Sequence, residues 1–317
     1  MPDRAVRTIL YDATGSIVEA GIRMWVRLAG RPVTKTEAPW LRSPMGPGGR
    51  IGTSLYSTIA EQEGLQFHTP TDSGLVEDFD SLRSAAFDPG FVRHEIRSFY
   101  QHTAQYRFEV WSEAGILSRL FLWFLVTFVS RRMDQLNFPV SSLEMAEGMT
   151  SEISVLVDPS SGQRVYTCWL RRFALSGRVL YAGLYSTEKP GAYPYPCVKV
   201  SFPLPYGSST VFLRPEAQAD GSLKLISSGS RFGDPGFYRM VQSDSGKWYV
   251  RYLRTLKELF HVFIDSQGTL RADHTVRFLG LRILRLHYRI DRAAPDIGPV
   301  FETADATQKP GRTIGTP

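Results

Sequence analysis

Two histidines near the C-terminal end carry the clearest chemical signal. His261 lies in an apolar run that ends at Asp265, and His274 lies in the run that begins after Gly268. The intervening DSQGT has turn chemistry, so the two runs read as an antiparallel hairpin. A two-residue turn at Gln267–Gly268, or a four-residue turn over Ser266–Thr269, sets His261 directly opposite His274. Leu259 then faces Val276 and Phe263 faces Ala272, so both imidazoles point inward among apolar neighbours. A pair so placed could bind a metal, share a proton or hydrogen-bond a ligand. No third ligand at a characteristic spacing accompanies it. Core histidines satisfied by backbone or water are the plainer alternative.

Other candidates share the strand pattern. Arg285, His287 and Arg289 alternate with Leu284, Leu286, Tyr288 and Ile290, so one face of that segment is polar and the other buried. In a barrel with a polar lumen the basic face would meet an anionic ligand; on an ordinary sheet it meets water. In segment 163–174, Trp169, Arg171 and Phe173 share one face, and Tyr166, Cys168, Leu170 and Arg172 the other. Interleaved aromatics and arginines suit stacked bases or lipid headgroups. The ligand-binding candidates are therefore Trp169, Arg171, His261, His274, Arg285, His287 and Arg289. His261 and His274 are also the candidate catalytic pair. No metal site is assigned and no cofactor is implied.

Familiar catalytic patterns are missing. SSGSRFGDPGFY, residues 227–238, matches no phosphate-loop spacing and reads as a turn at Asp234–Pro235 opening a short helix through Phe237–Val241. His94 and His102 do not have the i, i+4 spacing of a zinc-protease helix. No nucleophile elbow and no C-x-x-C occur.

These candidates need strands to hold them. From Ser151 onward the hydrophobic period is two, with candidate strands at 152–158, 163–174, 178–187, 197–203, 209–215, 222–228, 247–265, 269–279 and 282–291. The junctions are short and rich in Gly, Pro, Asp and Ser, which predicts antiparallel hairpins. About eight or nine such strands suit a barrel or a strongly curved sheet. Upstream the chain reads helical and loop-rich: a helix after Ser16, a Pro/Gly-rich segment over 31–52, a short helix stopped at Gly64, and a helical pattern from Phe91 through the Tyr106–Trp111 group.

Between the two regions, residues 116–136 are apolar around nearly the whole circumference of a helix, except for a stripe of Arg119, Thr127, Ser130 and Asp134. The longest uncharged apolar run there, Leu120–Val129, has ten residues. A bilayer span needs roughly 20, so the stretch is expected to dock between the N-terminal layer and the sheet. Interfacial membrane contact, aided by Arg131–Arg132, is the other option. The expected class is α+β: a helical and loop-rich region over 1–150, an antiparallel β domain over 151–292, and a disordered tail over 293–317.

Composition sets the outer bounds. The 317 residues have a globular balance of apolar and charged side chains and a net charge of +6. That charge is uneven: residues 1–150 hold 15 basic against 17 acidic side chains, and residues 151–317 hold 22 against 14. The second half attracts anions, or else decorates a sheet face with solvated arginine. Cys168 and Cys197 form no metal motif and no disulfide framework, and no signal sequence opens the chain, so a cytoplasmic location is expected, with membrane association as the other option.

The leading functional expectation is a non-enzymatic protein that holds a hydrophobic or amphipathic small molecule, lipid or peptide in or beside the barrel, as an accessory protein of a biosynthetic pathway. An acid–base isomerase, cyclase or hydrolase using the histidine pair is the alternative, and a peripheral membrane protein the third. Nucleic acid ranks last, because no recognised binding module occurs. The oligomeric state is not encoded in any pattern found.

Overall fold

The computed structural model describes residues 19–34, 36–46, 54–113, 148–243 and 245–293. The 116–136 stretch and the tail beyond Ala293 lie outside the described residues. A helix, α1, spans 19–29. It is followed by β1 (Arg31–Val33), α2 (Leu55–Glu63), β2 (Gln66–His68), α3 (His94–Gln101) and β3 (Tyr106–Glu113). The remaining elements are all strands: β4 (Met149–Val157), β5 (Arg164–Phe173), β6 (Val179–Glu188), β7 (Cys197–Leu204), β8 (Gly207–Ala217), β9 (Leu223–Ile226), β10 (Gly236–Gln242), β11 (Trp248–Tyr252), β12 (Leu256–Ile264), β13 (Leu270–Phe278) and β14 (Leu281–Arg292).

The strands form one sheet whose main path runs β2-β4-β5-β6-β7-β8-β9-β12-β13-β14-β3, with β10 joined to β8 and β11, and β11 to β1. The ladders are antiparallel. The sheet curls so far that Phe108 of β3, at one end of the path, lies 5.2 Å from Trp169 of β5, near the other. The path does not close.

The fourteen strands among the described residues exceed the eight or nine expected, and three of them come from the region read as helical. The helical pattern from Phe91 holds only to Gln101; Tyr106, Phe108 and Val110 then alternate with Arg107, Glu109 and Trp111. This aromatic, period-two run fills the edge offered by β14, and sheet pairing outweighs local helical spacing. The expected helix through Phe237–Val241 is strand β10 for the same reason, since β8 and β11 flank it and pair with its backbone. The long run 247–265 is two strands, broken at 253–255, of which β11 pairs with β10 and β12 with β9 and β13.

Two helices cover this curved sheet. On α2, Leu55, Tyr56, Ile59 and Ala60 line one side and pack on Leu156, Cys168, Leu170 and Leu184 of the sheet's outer face. Each large apolar side chain fully buried there contributes roughly 1.5–3 kcal/mol. Gly64, left-handed at φ 68°, stops the helix. The Tyr56 hydroxyl lies 2.8 Å from the Trp169 carbonyl and 3.1 Å from that of Gly183, tying α2 to β5 and β6. On α3, Ile96, Phe99 and Tyr100 join the inner core. Among the described residues no helix is long and apolar enough to cross a membrane.

Candidate functional site: an aromatic cavity with a buried guanidinium

Period-two alternation decides what faces the concave side. β12 sends Leu256, Glu258, Phe260 and Val262 inward; β13 sends Ala272, His274 and Val276; β14 sends Leu284, Tyr288 and Ile290. From across the curl come Trp169 and Arg171 on β5, Tyr181 and Tyr185 on β6, and Phe108 on β3. Leu75, Phe99 and Tyr100 line the cavity from the segment before β3. Together they enclose about 280 Å³. Ligand pockets commonly run roughly 300–1,000 Å³, so the space suits one small or single-chain molecule.

Three ionisable groups interrupt the apolar wall. Arg171 is 5% exposed, and its guanidinium carbon lies 5.4 Å from the rings of Phe108 and Trp169 and 5.5 Å from that of Tyr288. Nη2 lies 3.6 Å from the Met149 sulfur, the Tyr288 hydroxyl is a hydrogen-bonding neighbour of the guanidinium, and Nε has no hydrogen-bond partner. Among the described residues no carboxylate pairs with it. His274, also 5% exposed, has Nε2 3.2 Å from Glu258 Oε1, an ion-pair distance whose angles fall outside hydrogen-bond geometry. The Tyr181 and Tyr185 hydroxyls are 2.5 Å apart. Burial pushes the phenols of Tyr181, Tyr185 and Tyr288 above their ordinary range, so they stay protonated at neutral pH. Gly183 makes their arrangement possible, since a Cβ there would lie 2.6 Å from the Tyr181 hydroxyl.

The sequence-based candidates divide between the two faces. Trp169 and Arg171 point into the cavity with the expected alternation. His274 also points inward, but His261 does not. The register is one residue off the expected one: His274 faces Phe260, and His261 faces Asp273. The turn explains the shift. Gly268 N–H donates to the Asp265 carbonyl, Asp265 N–H donates to the Thr269 carbonyl, and Gly268 is left-handed at φ 79°. This three-residue loop with a left-handed glycine replaces the two-residue turn. A one-residue change of pairing sends one of the two histidines to the other face.

His261 instead places Nε2 2.9 Å from the Ser222 hydroxyl on the outer face, where burial and then Lys224 push its pKa down. Arg285, His287 and Arg289 also face outward. Asp273 Oδ2 accepts from Arg285 at 2.7 Å, and its Oδ1 lies 2.7 Å from His287 Nδ1. Glu113 lies 3.3 Å from His287 Nε2, and Asp291 pairs with Arg289 at 2.9 Å. Burial alone would raise the Asp273 carboxyl; the hydrogen bonds from Arg285 and His287 outweigh that and hold it low. These three residues form a charge ladder outside the lumen.

Glu258, Phe260 and the three tyrosines were not anticipated. Glu258 is a lone acid in phase with Leu256, Phe260 and Val262, a signal readable only once the 247–265 run is split. A second, polar groove of about 650 Å³ adjoins the cavity, sharing Leu75 and Tyr185 with it, and is lined by Arg42, Glu63, Arg164, Glu188 and Lys199. The Lys199 ammonium donates to the Arg42 carbonyl at 2.6 Å, and burial lowers its pKa to about 8. Among the described residues no cluster of His, Cys, Asp and Glu has metal-binding geometry. Cys168 and Cys197 are buried free thiols whose pKa values burial raises.

No family model and no solved structure matches the chain. Among curated proteins it is similar to the uncharacterized membrane protein YndJ of Bacillus subtilis (strain 168), with 28% identity over 249 residues. That alignment takes in 76% of this chain and 41% of YndJ, so the chain spans about two fifths of the relative's length.

Proposed function

We propose that the chain is a non-enzymatic binding protein for a small amphipathic molecule with an apolar body and an anionic head, held inside the curled sheet. The observation that carries this reading is Arg171. A guanidinium buried among aromatic rings without a carboxylate partner costs several kcal/mol, and a ligand anion offsets that cost. The surrounding rings accept an alkyl or aromatic body, and the protonated tyrosines can donate to its polar end. A lipid-like ligand accords with the relative's description as a membrane protein. Titration with a fluorescent fatty acid, against the corresponding fatty alcohol, tests this. Tighter binding of the acid, lost in Arg171→Met, supports it; equal binding of acid and alcohol, or no binding of either, rejects it.

A second reading rests on the Glu258–His274 contact. A carboxylate beside an imidazole in an otherwise apolar cavity is an arrangement for acid–base chemistry on a bound ligand, with His274 as the proton acceptor. Recovery of a chemically altered ligand after incubation, abolished in His274→Phe, would favour the enzyme over the carrier.

A further inference from the structure

Antiparallel connectivity assigns every turn to one of two ends of the sheet. One end carries the turns 158–163, 189–196, 218–222 and 265–269, which are polar or proline-rich. The other carries the turns 174–178, 205–206 and 279–280, the polar β10–β11 turn closed by the Ser243–Lys247 backbone hydrogen bond, the 253–255 connection, the exit of β3 at Glu113 and the entry of β4 at Met149. Several large apolar side chains are exposed at this second end. Leu175 is 82% exposed, Leu281 73% and Leu279 66%, and Phe278 and Tyr206 are also exposed. At the first end Phe91, beside Gly221, is 71% exposed and Phe67 of β2 40%. Helix α1 exposes Met24, Trp25 and Leu28.

Two further observations fall on the same end. Leu279 and Tyr206 are the non-glycine residues with positive φ among those described, at 52° and 59°. A left-handed residue other than glycine costs roughly 1–2 kcal/mol, and an exposed leucine gains no packing in return. The second observation is electrostatic. Lys257 pairs across the ladder with Arg277, and Arg277 with Arg282, so three cations stand side by side on β12, β13 and β14 immediately behind the Leu279 turn. Like charges directly opposite destabilise a sheet. Among the described residues no carboxylate pairs with Lys257 or Arg277.

We propose that this end of the sheet docks onto an anionic lipid bilayer. The tip at Phe278–Leu281, with Leu175 and Tyr206, enters the acyl–headgroup boundary, and the Lys257–Arg277–Arg282 row meets the lipid phosphates. Apolar residues on the tips of separate hairpins, with a row of cations behind the Leu279 turn, suit a fluid interface rather than a shaped protein groove. Glu113 and Met149, the ends of β3 and β4, lie at this end as well. The proposal does not depend on what the cavity holds.

Co-sedimentation of the full chain with vesicles of phosphatidylcholine, with and without phosphatidylglycerol, tests it. Binding is expected to the phosphatidylglycerol vesicles and to fall steeply with salt. Leu279→Asn combined with Leu281→Asn should weaken binding about tenfold or more while the melting temperature holds, because asparagine tolerates the left-handed position. Lys257→Glu with Arg277→Glu should abolish it, and Arg171→Met should leave it unchanged. Equal partition to both vesicle types, no binding to either, or full binding by the folded tip variants would overturn the proposal, the last by assigning membrane contact elsewhere in the chain.

Discussion

The imidazole of His274 lies flat on the ring of Phe260, with centroids 3.8 Å apart and planes 12° from parallel. That stack exists because Phe260, not His261, is the cross-strand partner of His274. It leaves one histidine in the cavity, where a carboxylate can reach it, and sends the other to the surface.

The register depends on the 265–269 loop. Asp265 Oδ1 accepts from the Gln267 and Thr269 amides, each at 2.9 Å, and its Oδ2 accepts from Arg271 at 2.8 Å. Replacing Asp265 with Ala should cost about 1–2 kcal/mol. No atom lies where a Cβ at Gly268 would go, so Gly268→Ala should cost about 1 kcal/mol from its positive φ alone, and Gly268→Asn less, because asparagine tolerates the left-handed conformation. Urea denaturation of the three variants gives that ranking; a neutral Gly268→Ala would contradict the loop geometry.

Arg171→Met should separate binding from stability. Loss of a charge-assisted contact to a ligand anion is worth roughly 1.5–3 kcal/mol, about 10–150-fold in affinity. The free protein should be no less stable, because the substitution removes an unpaired buried charge and keeps an apolar stem against Phe108 and Trp169. A calorimetric titration paired with a thermal melt reads both. A melting temperature many degrees lower, with affinity unchanged, would mark Arg171 as a packing residue only.

Lys199 makes stability depend on alkaline pH. Its folded-state pKa of about 8 lies below the ordinary 10.5, so between these values the unfolded chain holds a proton that the folded chain has released. The wild type should therefore gain stability relative to Lys199→Met as pH rises from about 8 to about 10.5. The gain is about 3 kcal/mol in all, at 1.36 kcal/mol per pH unit. Denaturant curves for both proteins across that range should show the gap changing in the stated direction; a constant gap would mean that the ammonium is solvated.

Asp273 acts at the other extreme. Its folded-state pKa is depressed, so its pairing with Arg285 and His287 stabilises the fold above the ordinary carboxylate range and is lost as pH falls below about 4. Much of the side chain is solvent-screened, so Asp273→Asn should cost only about 1 kcal/mol at neutral pH. The two melting curves should converge on acidification.

Much of the C-terminal architecture is legible in the chain itself. Period-two alternation places Trp169 and Arg171 together on one face of β5, and the Gly- and Asp-rich junctions identify the hairpins from β4 to β9 and from β12 to β14, because side-chain direction along a strand and left-handed turn residues are local properties. Three things are not local. Whether Tyr106–Glu113 coils or extends depends on an edge of β14 nearly 180 residues further along the chain. Whether His261 or Phe260 meets His274 turns on a single residue of loop length, since a one-residue slip inverts a strand's faces. Whether Arg171 finds a counter-charge depends on the curl that carries β5 to Phe108 and Tyr288, and in that enclosure it finds rings instead. The sequence alone therefore determined which side chains share a face of a strand. Only the tertiary structure decided which faces enclose the cavity, because that is a property of pairings between distant segments.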